Sequence, residues 1–418
     1  MIDDALSRDA LRAGIAILHH LRKVEVFTSI SSHDYAQQQT SLAYGYPGAA
    51  LAFANLASLD PNAGWEKSAH AYLSESVSGG VSTNSWSNIF DGVIAQAYCI
   101  EMVARSHGGY RKARSSLNAT ALGQVEAMSR EAEGLQGFIP SGIFDITSGL
   151  SGLAPYLKLV SGESSGAVHV ARTLTSLIAN WVEEDRIWNP QPPGSVENFS
   201  RSPNTYEPVS CDLGMAHGLG GILAFLAVMH RANLAGDNAR VAAVIAADRI
   251  LNSRIVTQWG EDIPAHLAHT VPAVQEATRT AWCYGNPGIA HALRLAADAF
   301  GMPRWADAAD SLMASSARRT PEAQGIQNDM SICHGAAGLL HQFHSYERRY
   351  TSRVVPADSS RSPAMQILAA LGSCETINDF VSLSSGPGVW EGAMGVGIAL
   401  IGCTHSSMSF LDELLLIA

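Results

Sequence analysis

The chain has 418 residues, 47% of them hydrophobic and only 16% charged, with a formal net charge of −11. So low a charge content suits many buried helices, while the acidic balance, with no long Lys/Arg cluster, removes the electrostatic footprint that nucleic acid or an anionic membrane requires. No charged or Pro/Ser/Gly-rich linker divides it, so residues 1–418 read as one large repetitive domain.

The N-terminal "MIDDALSRDALRAGIAILHHLRK" begins acidic, and its apolar run is short and ends in two histidines. It reads as an amphipathic helix rather than a signal peptide. No apolar run approaches the roughly 20 residues that span a bilayer, so a cytoplasmic protein without a membrane segment is expected. Six scattered cysteines, Cys99, Cys211, Cys283, Cys333, Cys374 and Cys403, are in that compartment ligands or buried apolar groups before they are disulfides.

Further along, one pattern recurs: a short polar or aromatic lead, Gly-x-x-Gly, then an Ala/Leu-rich apolar run. It appears as "LAYGYPGAALAFA", "DITSGLSGLAPYL", "GMAHGLGGILAFL", "AWCYGNPGIAHAL", "ICHGAAGLLHQF" and "VWEGAMGVGIAL", with a degenerate copy, "NIFDGVIAQAYCI", in which Ala95 replaces the second glycine. The first glycines are Gly45, Gly92, Gly149, Gly218, Gly285, Gly335 and Gly392, separated by 47, 57, 69, 67, 50 and 57 residues. Each interval holds two helices. Segments such as "GWEKSAHAYLSESV" and "RWADAADSLMASSARR" are apolar at three- and four-residue spacing, as a helix wet on one face is. Those after each Gly-x-x-Gly are apolar most of the way round. Strand-like alternation is scarce, so the pattern predicts an all-α barrel of inner helices ringed by outer ones. One stretch, about residues 183–212, is rich in Pro, Asn and Ser and too long for an ordinary connection; it is a small insertion or a long loop.

Aligned on the first glycine, the preceding column reads Tyr44, Asp91, Ser148, His217, Tyr284, His334 and Glu391, and the one before it Ala43, Phe90, Thr147, Ala216, Cys283, Cys333 and Trp390. In a closed ring these residues share one rim. Cys283 and Cys333 then come from neighbouring inner helices, with His334 beside them. Two thiolates and an imidazole suit one Zn²⁺ and leave its fourth position open. His217, one repeat earlier, faces the same cavity and can relay protons near neutral pH. Asp145 and Arg279 lie on lead-in loops at that rim. Paired rim acids for sugar chemistry, Asp91 and Glu391, fit the Cys/Cys/His set poorly.

Taken together, "AHGLGG" (216–221), "WCYGNPG" (282–288) and "CHGAAG" (333–338), within seven glycine repeats, resemble the lanthionine synthetase C-like family, most closely the free-standing cyclases of class I lanthipeptide biosynthesis. The resemblance covers nearly the whole chain. It implies an α/α toroid of seven inner and seven outer helices, zinc ligands Cys283, Cys333 and His334, a catalytic histidine at His217, and functional roles for Asp145 and Arg279. Some members carry a small, partly β insertion, to which 183–212 could correspond. The implied reaction is Michael addition of a peptide cysteine to dehydroalanine or dehydrobutyrine in a dehydrated precursor peptide with its leader. A dehydratase and an exporter are implied partners, with association at the inner membrane face through them. The alternative within the family is a zinc protein that binds thiol peptides or glutathione without cyclising them.

Overall fold

A computed structural model describes residues 4–80, 87–190, 209–268, 277–350, 355–356, 359–405 and 410–417. Among them, Tyr46–Leu59, Gly92–His107, Ala154–Ser161, Leu219–Arg231, Asn286–Phe300, Ala336–Arg349 and Ala393–Gly402 form an inner ring. Each packs against the next, and Ala393–Gly402 returns to Tyr46–Leu59. Outside them, in the same order, lie Trp65–Ser78, Arg111–Glu133, Ser165–Glu183, Asn238–Asn252, Pro303–Arg318 and Arg361–Gly372. The outer partner of the last inner helix is the first helix of the chain, Asp4–His20. A side chain at Gly14 would meet the backbone of Gly397, so this closing pair approaches more nearly than larger residues would allow.

The two layers differ as their sequences dictate. Every residue of Ala393–Gly402 is buried, whereas Arg111–Glu133 buries a stripe of Leu117, Ala121, Val125, Met128 and Ala132 at helical spacing. Full burial of one such leucine contributes roughly 1.5–3 kcal/mol, and it is this repeated apolar contact that closes the ring.

Backbone hydrogen bonds join the lead-in segments into a belt at one end. Leu42 N–H donates to Phe90 O (2.8 Å), Trp390 to Ala43 (2.9 Å), Ile332 to Trp390 (2.9 Å), Cys283 to Cys333 (3.3 Å), Ala216 to Cys283 (3.2 Å) and Ile146 to Ala216 (3.1 Å). The acceptors all belong to the column two places before the first glycine, so that column is a single rim. The second glycine has a steric cause: at Gly48, Gly152, Gly221, Gly288, Gly338 and Gly395 a Cβ would collide with the carbonyl oxygen six residues earlier, where the lead-in crosses its own helix. The copy carrying Ala95 enters its helix differently, with Gly92 at φ 77° where Gly45, Gly149, Gly218, Gly335 and Gly392 are extended.

Short strands accompany the helices. Asn189–Pro190, Val209–Asp212 and His266–Ala268 make a three-stranded antiparallel sheet in which Asp212 stands opposite His266. Ile255–Thr257 and Gly260–Asp262 form a hairpin. The 183–212 stretch thus supplies two strands, while its middle, 191–208, lies outside the described residues.

The helix Phe410–Leu414 and the residues after it as far as Ile417 occupy the interior of the ring. Leu411, Leu414, Leu415, Leu416 and Ile417 are buried. Asp412 lies against Ser345 Oγ (3.0 Å), His341 Nε2 (2.9 Å), Arg348 and Arg349. Glu413 meets Lys158, and the Leu415 carbonyl accepts from Trp282 Nε1 at 2.9 Å, directly beneath the rim. Among the described residues no helix is long and apolar enough to cross a membrane.

Candidate metal centre and the rim around it

Three groups expected to share the rim converge. The ligand atoms of Cys283, Cys333 and His334 lie within 4.8 Å of one another. Two donors at about 2.3 Å from a tetrahedral cation would stand about 3.8 Å apart, so these residues fit one zinc ion. The two cysteines are 5% and 8% exposed, and His334 is half-buried, which leaves the imidazole side as the approach for a fourth ligand.

The sulfurs polarise each other. The hydrogen bond from Cys333, then His334 and Arg279, hold the Cys283 thiol below its usual range against the effect of burial, while Cys283 and burial push Cys333 well above it. A bound cation would hold both as thiolates. His334 Nε2 lies 3.1 Å from Asp329 Oδ2, which together with Cys283 pushes the imidazole up to about 10. A carboxylate on the far nitrogen is how proteins fix the ring of a ligating histidine. Sequence reasoning missed Asp329; its signal was the offset of five residues from His334 inside the lead of the CHG motif.

The next group along the rim is a carboxylate–imidazole pair. His217 Nδ1 lies 2.6 Å from Asp145 Oδ2 and 3.1 Å from Thr147 Oγ1. Asp145 Oδ1 accepts the amides of Ser148 (2.6 Å) and Gly149 (2.8 Å), so the carboxylate is fixed by its own turn. Asp145 is 2% exposed, but the His217 side chain is 39% exposed. The Asp145 hydrogen bond raises the His217 pKa above its ordinary value, against the pull of burial. Nδ1 is occupied by Asp145, which leaves Nε2 as the nitrogen able to exchange a proton.

Arg279 has an exposed side chain on the loop before Cys283. It is not the partner of Asp145, whose oxygens serve His217, Ser148 and Gly149. Its loop is braced from below: Thr280 N–H donates to Gln324 O (2.7 Å), and the buried Arg319 donates to Thr278 O while pairing with Asp262. The guanidinium acts on Cys283 through its charge.

Two further rim residues went unassigned from sequence. Tyr284 follows Cys283 in the glycine-preceding column; its hydroxyl donates to Asp212 Oδ2 at 2.7 Å, and its ring centroid is 6.2 Å from that of His217. Asp212 ends its strand with a 4% exposed side chain, Oδ1 accepting from Gly214 N–H (2.9 Å) and Oδ2 lying 3.8 Å from His266 Nδ1. Tyr284 was visible as a column member, whereas Asp212 precedes the aligned lead and carried no signal. Asp91, in contrast, serves the fold: its carboxylate caps Gly92 N–H (2.8 Å) and accepts from Thr40.

A family model described as lanthionine synthetase C-like protein matches residues 36–416. The nisin biosynthesis protein NisC of Lactococcus lactis subsp. lactis is 26% identical over 325 residues, 74% of each chain. A solved structure of nisin cyclase superposes with a TM-score of 0.73 at 22% identity, covering 99% of this chain and 98% of the other, which makes the fold an α/α toroid. With the family model spanning nearly all of its repeats, the chain belongs to the lanthionine synthetase C-like family.

Proposed function

We propose that the protein is a zinc-dependent lanthipeptide cyclase that closes (methyl)lanthionine rings in a dehydrated precursor peptide. The observation that carries the reading is one rim holding a Cys283/Cys333/His334 cluster beside an imidazole, His217, whose second nitrogen is fixed by Asp145. Family membership and the likeness to a nisin biosynthesis protein support the same substrate class. The peptide would come from a dehydratase and leave through an exporter, with the cyclase in the cytoplasm at the inner membrane face through those partners.

In ring closure the cysteine sulfur bonds to the β-carbon of a dehydroamino acid, the C=C pair moves onto the carbonyl as an enolate, and the α-carbon then takes a proton. Zn²⁺ on Cys283, Cys333 and His334, one per chain, would supply a deprotonated thiol at neutral pH, where a free thiol of pKa about 8.5 is mostly protonated. His217 exchanges the proton at Nε2, removing it from the incoming thiol or delivering one to the α-carbon. Asp145 holds the imidazole in one tautomer and orientation, as a carboxylate does in hydrolytic triads. Arg279, exposed at the same rim, offers a guanidinium to the developing enolate oxygen.

Elemental analysis of wild type and Cys333→Ala, followed by a free-thiol assay on a dehydrated cysteine-containing peptide, tests the reading. About one zinc per chain, lost in the variant together with ring closure, is the expected result. Wild type that folds without zinc and cannot be reloaded removes the metal assignment. Zinc retained, with cysteinyl peptide or glutathione bound but no thiol consumed, would instead identify a thiol-binding member of the family.

A further inference from the structure

Among the described residues five carboxylates are buried: Glu101, Asp145, Asp212, Asp262 and Asp412. Three lie away from the rim, and each is neutralised by arginine: Glu101 by Arg114, Asp262 by Arg319, and Asp412 by Arg348 and Arg349. That is the expected way to meet the cost of burying a charge, several kcal/mol per ion. The other two lie at the rim and pair with no arginine or lysine. Asp145 faces His217, and Asp212 faces His266 and the hydroxyl of Tyr284. A buried carboxylate without a permanent cation is a poor choice for holding a fold together, so its place beside the reacting groups calls for a different account.

The column order around the ring supplies one. The residues before the first glycine run Ser148, His217, Tyr284, His334, so Tyr284 occupies the rim position between His217 and His334, and its ring lies beside the imidazole that exchanges protons, 6.2 Å between centroids. Its hydroxyl is anchored at 2.7 Å on Asp212 Oδ2. The anchor is itself rigid: Oδ1 is fixed by Gly214 N–H at 2.9 Å, and the strand carrying Asp212 pairs in register with the one carrying His266. We propose that Asp212 is a positioning residue of the cyclisation site, holding the Tyr284 ring in place beside His217 on the rim that carries the Cys283/Cys333/His334 cluster. The proposal rests on the cyclase reading above. Asp212 acts through Tyr284, and its loss lets the phenol turn away from the reacting groups while zinc ligation and the toroid persist.

The test is a double-mutant cycle on ring closure in a dehydrated peptide, using Asp212→Leu, Tyr284→Phe and the pair, with zinc content and Tm recorded for each. Asp212→Leu lowers kcat at least about tenfold and leaves KM within about twofold, and the double variant is no slower than the slower single one. Asp212→Asn, which keeps an acceptor for the phenol, stays within about threefold of wild type, a rescue that a purely packing role would not require. Losses that multiply in the pair, or a wild-type rate for Asp212→Leu, overturn the proposal and leave the cyclase reading standing. Tyr284→Phe reads the same hydrogen bond from the other side, so a wild-type rate there overturns the proposal even where Asp212→Leu fails to fold. Wild type that retains zinc yet closes no ring overturns both, since no reaction is left for Tyr284 to serve.

Discussion

Among the described residues two buried carboxylates lie within 3 Å of an imidazole nitrogen, Asp145 against His217 at the rim and Asp412 against His341 inside the ring, at 2.6 and 2.9 Å. Their chemistry is the same, and their surroundings make them opposites. Asp412 is wholly buried and also faces Arg348, Arg349 and Ser345, and His341 is only 4% exposed. Asp145 spends its other oxygen on two backbone amides, and His217 keeps 39% of its side chain open. A pair enclosed with surplus cations is a fastening, and one left with an accessible nitrogen is a reagent. The imidazole's exposure and the carboxylate's remaining partners separate the two, where the distance between them does not.

Substitutions should divide along the same line. The largest expected effect is on chemistry: His217→Asn removes the proton carrier from an open position, so ring closure falls about 10²–10⁴-fold while zinc content, peptide affinity and Tm stay near wild type. Retained turnover would remove His217 from the mechanism. Inside the ring the effect is on stability. Asp412→Ala leaves two guanidiniums facing a cavity, and loss of one member of a buried ion pair costs about 3–5 kcal/mol, read as a lower denaturation midpoint, with kcat per folded molecule little changed. Burial pushes Asp412 up, but His341 and the arginines prevail and hold its carboxyl below the usual range. A depressed carboxylate contributes stability above its unfolded value, about 3.9, and loses it as pH falls through the folded value. The stability gap between wild type and Asp412→Ala should therefore be full at neutral pH and narrow only under strong acid. A gap of the same size at every pH would mean that packing, not charge, anchors the segment.

The rim was legible because a repeat makes equivalent positions visible in one sequence: Cys283 and Cys333 share a column, His217 and His334 share the next, and backbone hydrogen bonds between those columns turn a shared offset into a shared height. The inner and outer layers were legible from their apolar periodicity. What joins distant parts of the chain was not. The ring closes through Asp4–His20, whose sequence says only that it is amphipathic and not which helix it covers. The segment from Phe410 onward reads as a short apolar run, and nothing in it announces that Asp412 will meet Arg348 and Arg349 in the interior. Asp212 and His266 meet across strands too short to register as alternation. Arg279 lies on the loop before Cys283, yet whether it reaches Asp145 depends on side-chain directions that column alignment does not specify.

The smallest expected effect is the most informative about mechanism. Asp145 is the largest cause of the raised His217 pKa, so Asp145→Asn, which preserves shape and can still accept at Nδ1–H, should move that pKa down. In the pH profile of kcat, the limb belonging to His217 shifts to lower pH whichever role the residue plays. If His217 acts as the acid that protonates the α-carbon, its limb is the alkaline one, and activity in Asp145→Asn begins to fall at lower pH than in wild type. If it acts as the base toward the thiol, its limb is the acidic one, and activity begins to rise at lower pH. The stability linkage has one sign in both cases: a histidine with a raised folded pKa stabilises the fold below its unfolded value of about 6.5, and the contribution fades as pH rises through the folded value. An Asp145→Asn profile superimposable on wild type would mean that the carboxylate aims the ring without tuning it, which would draw the rim pair closer in kind to the one fastened inside the toroid.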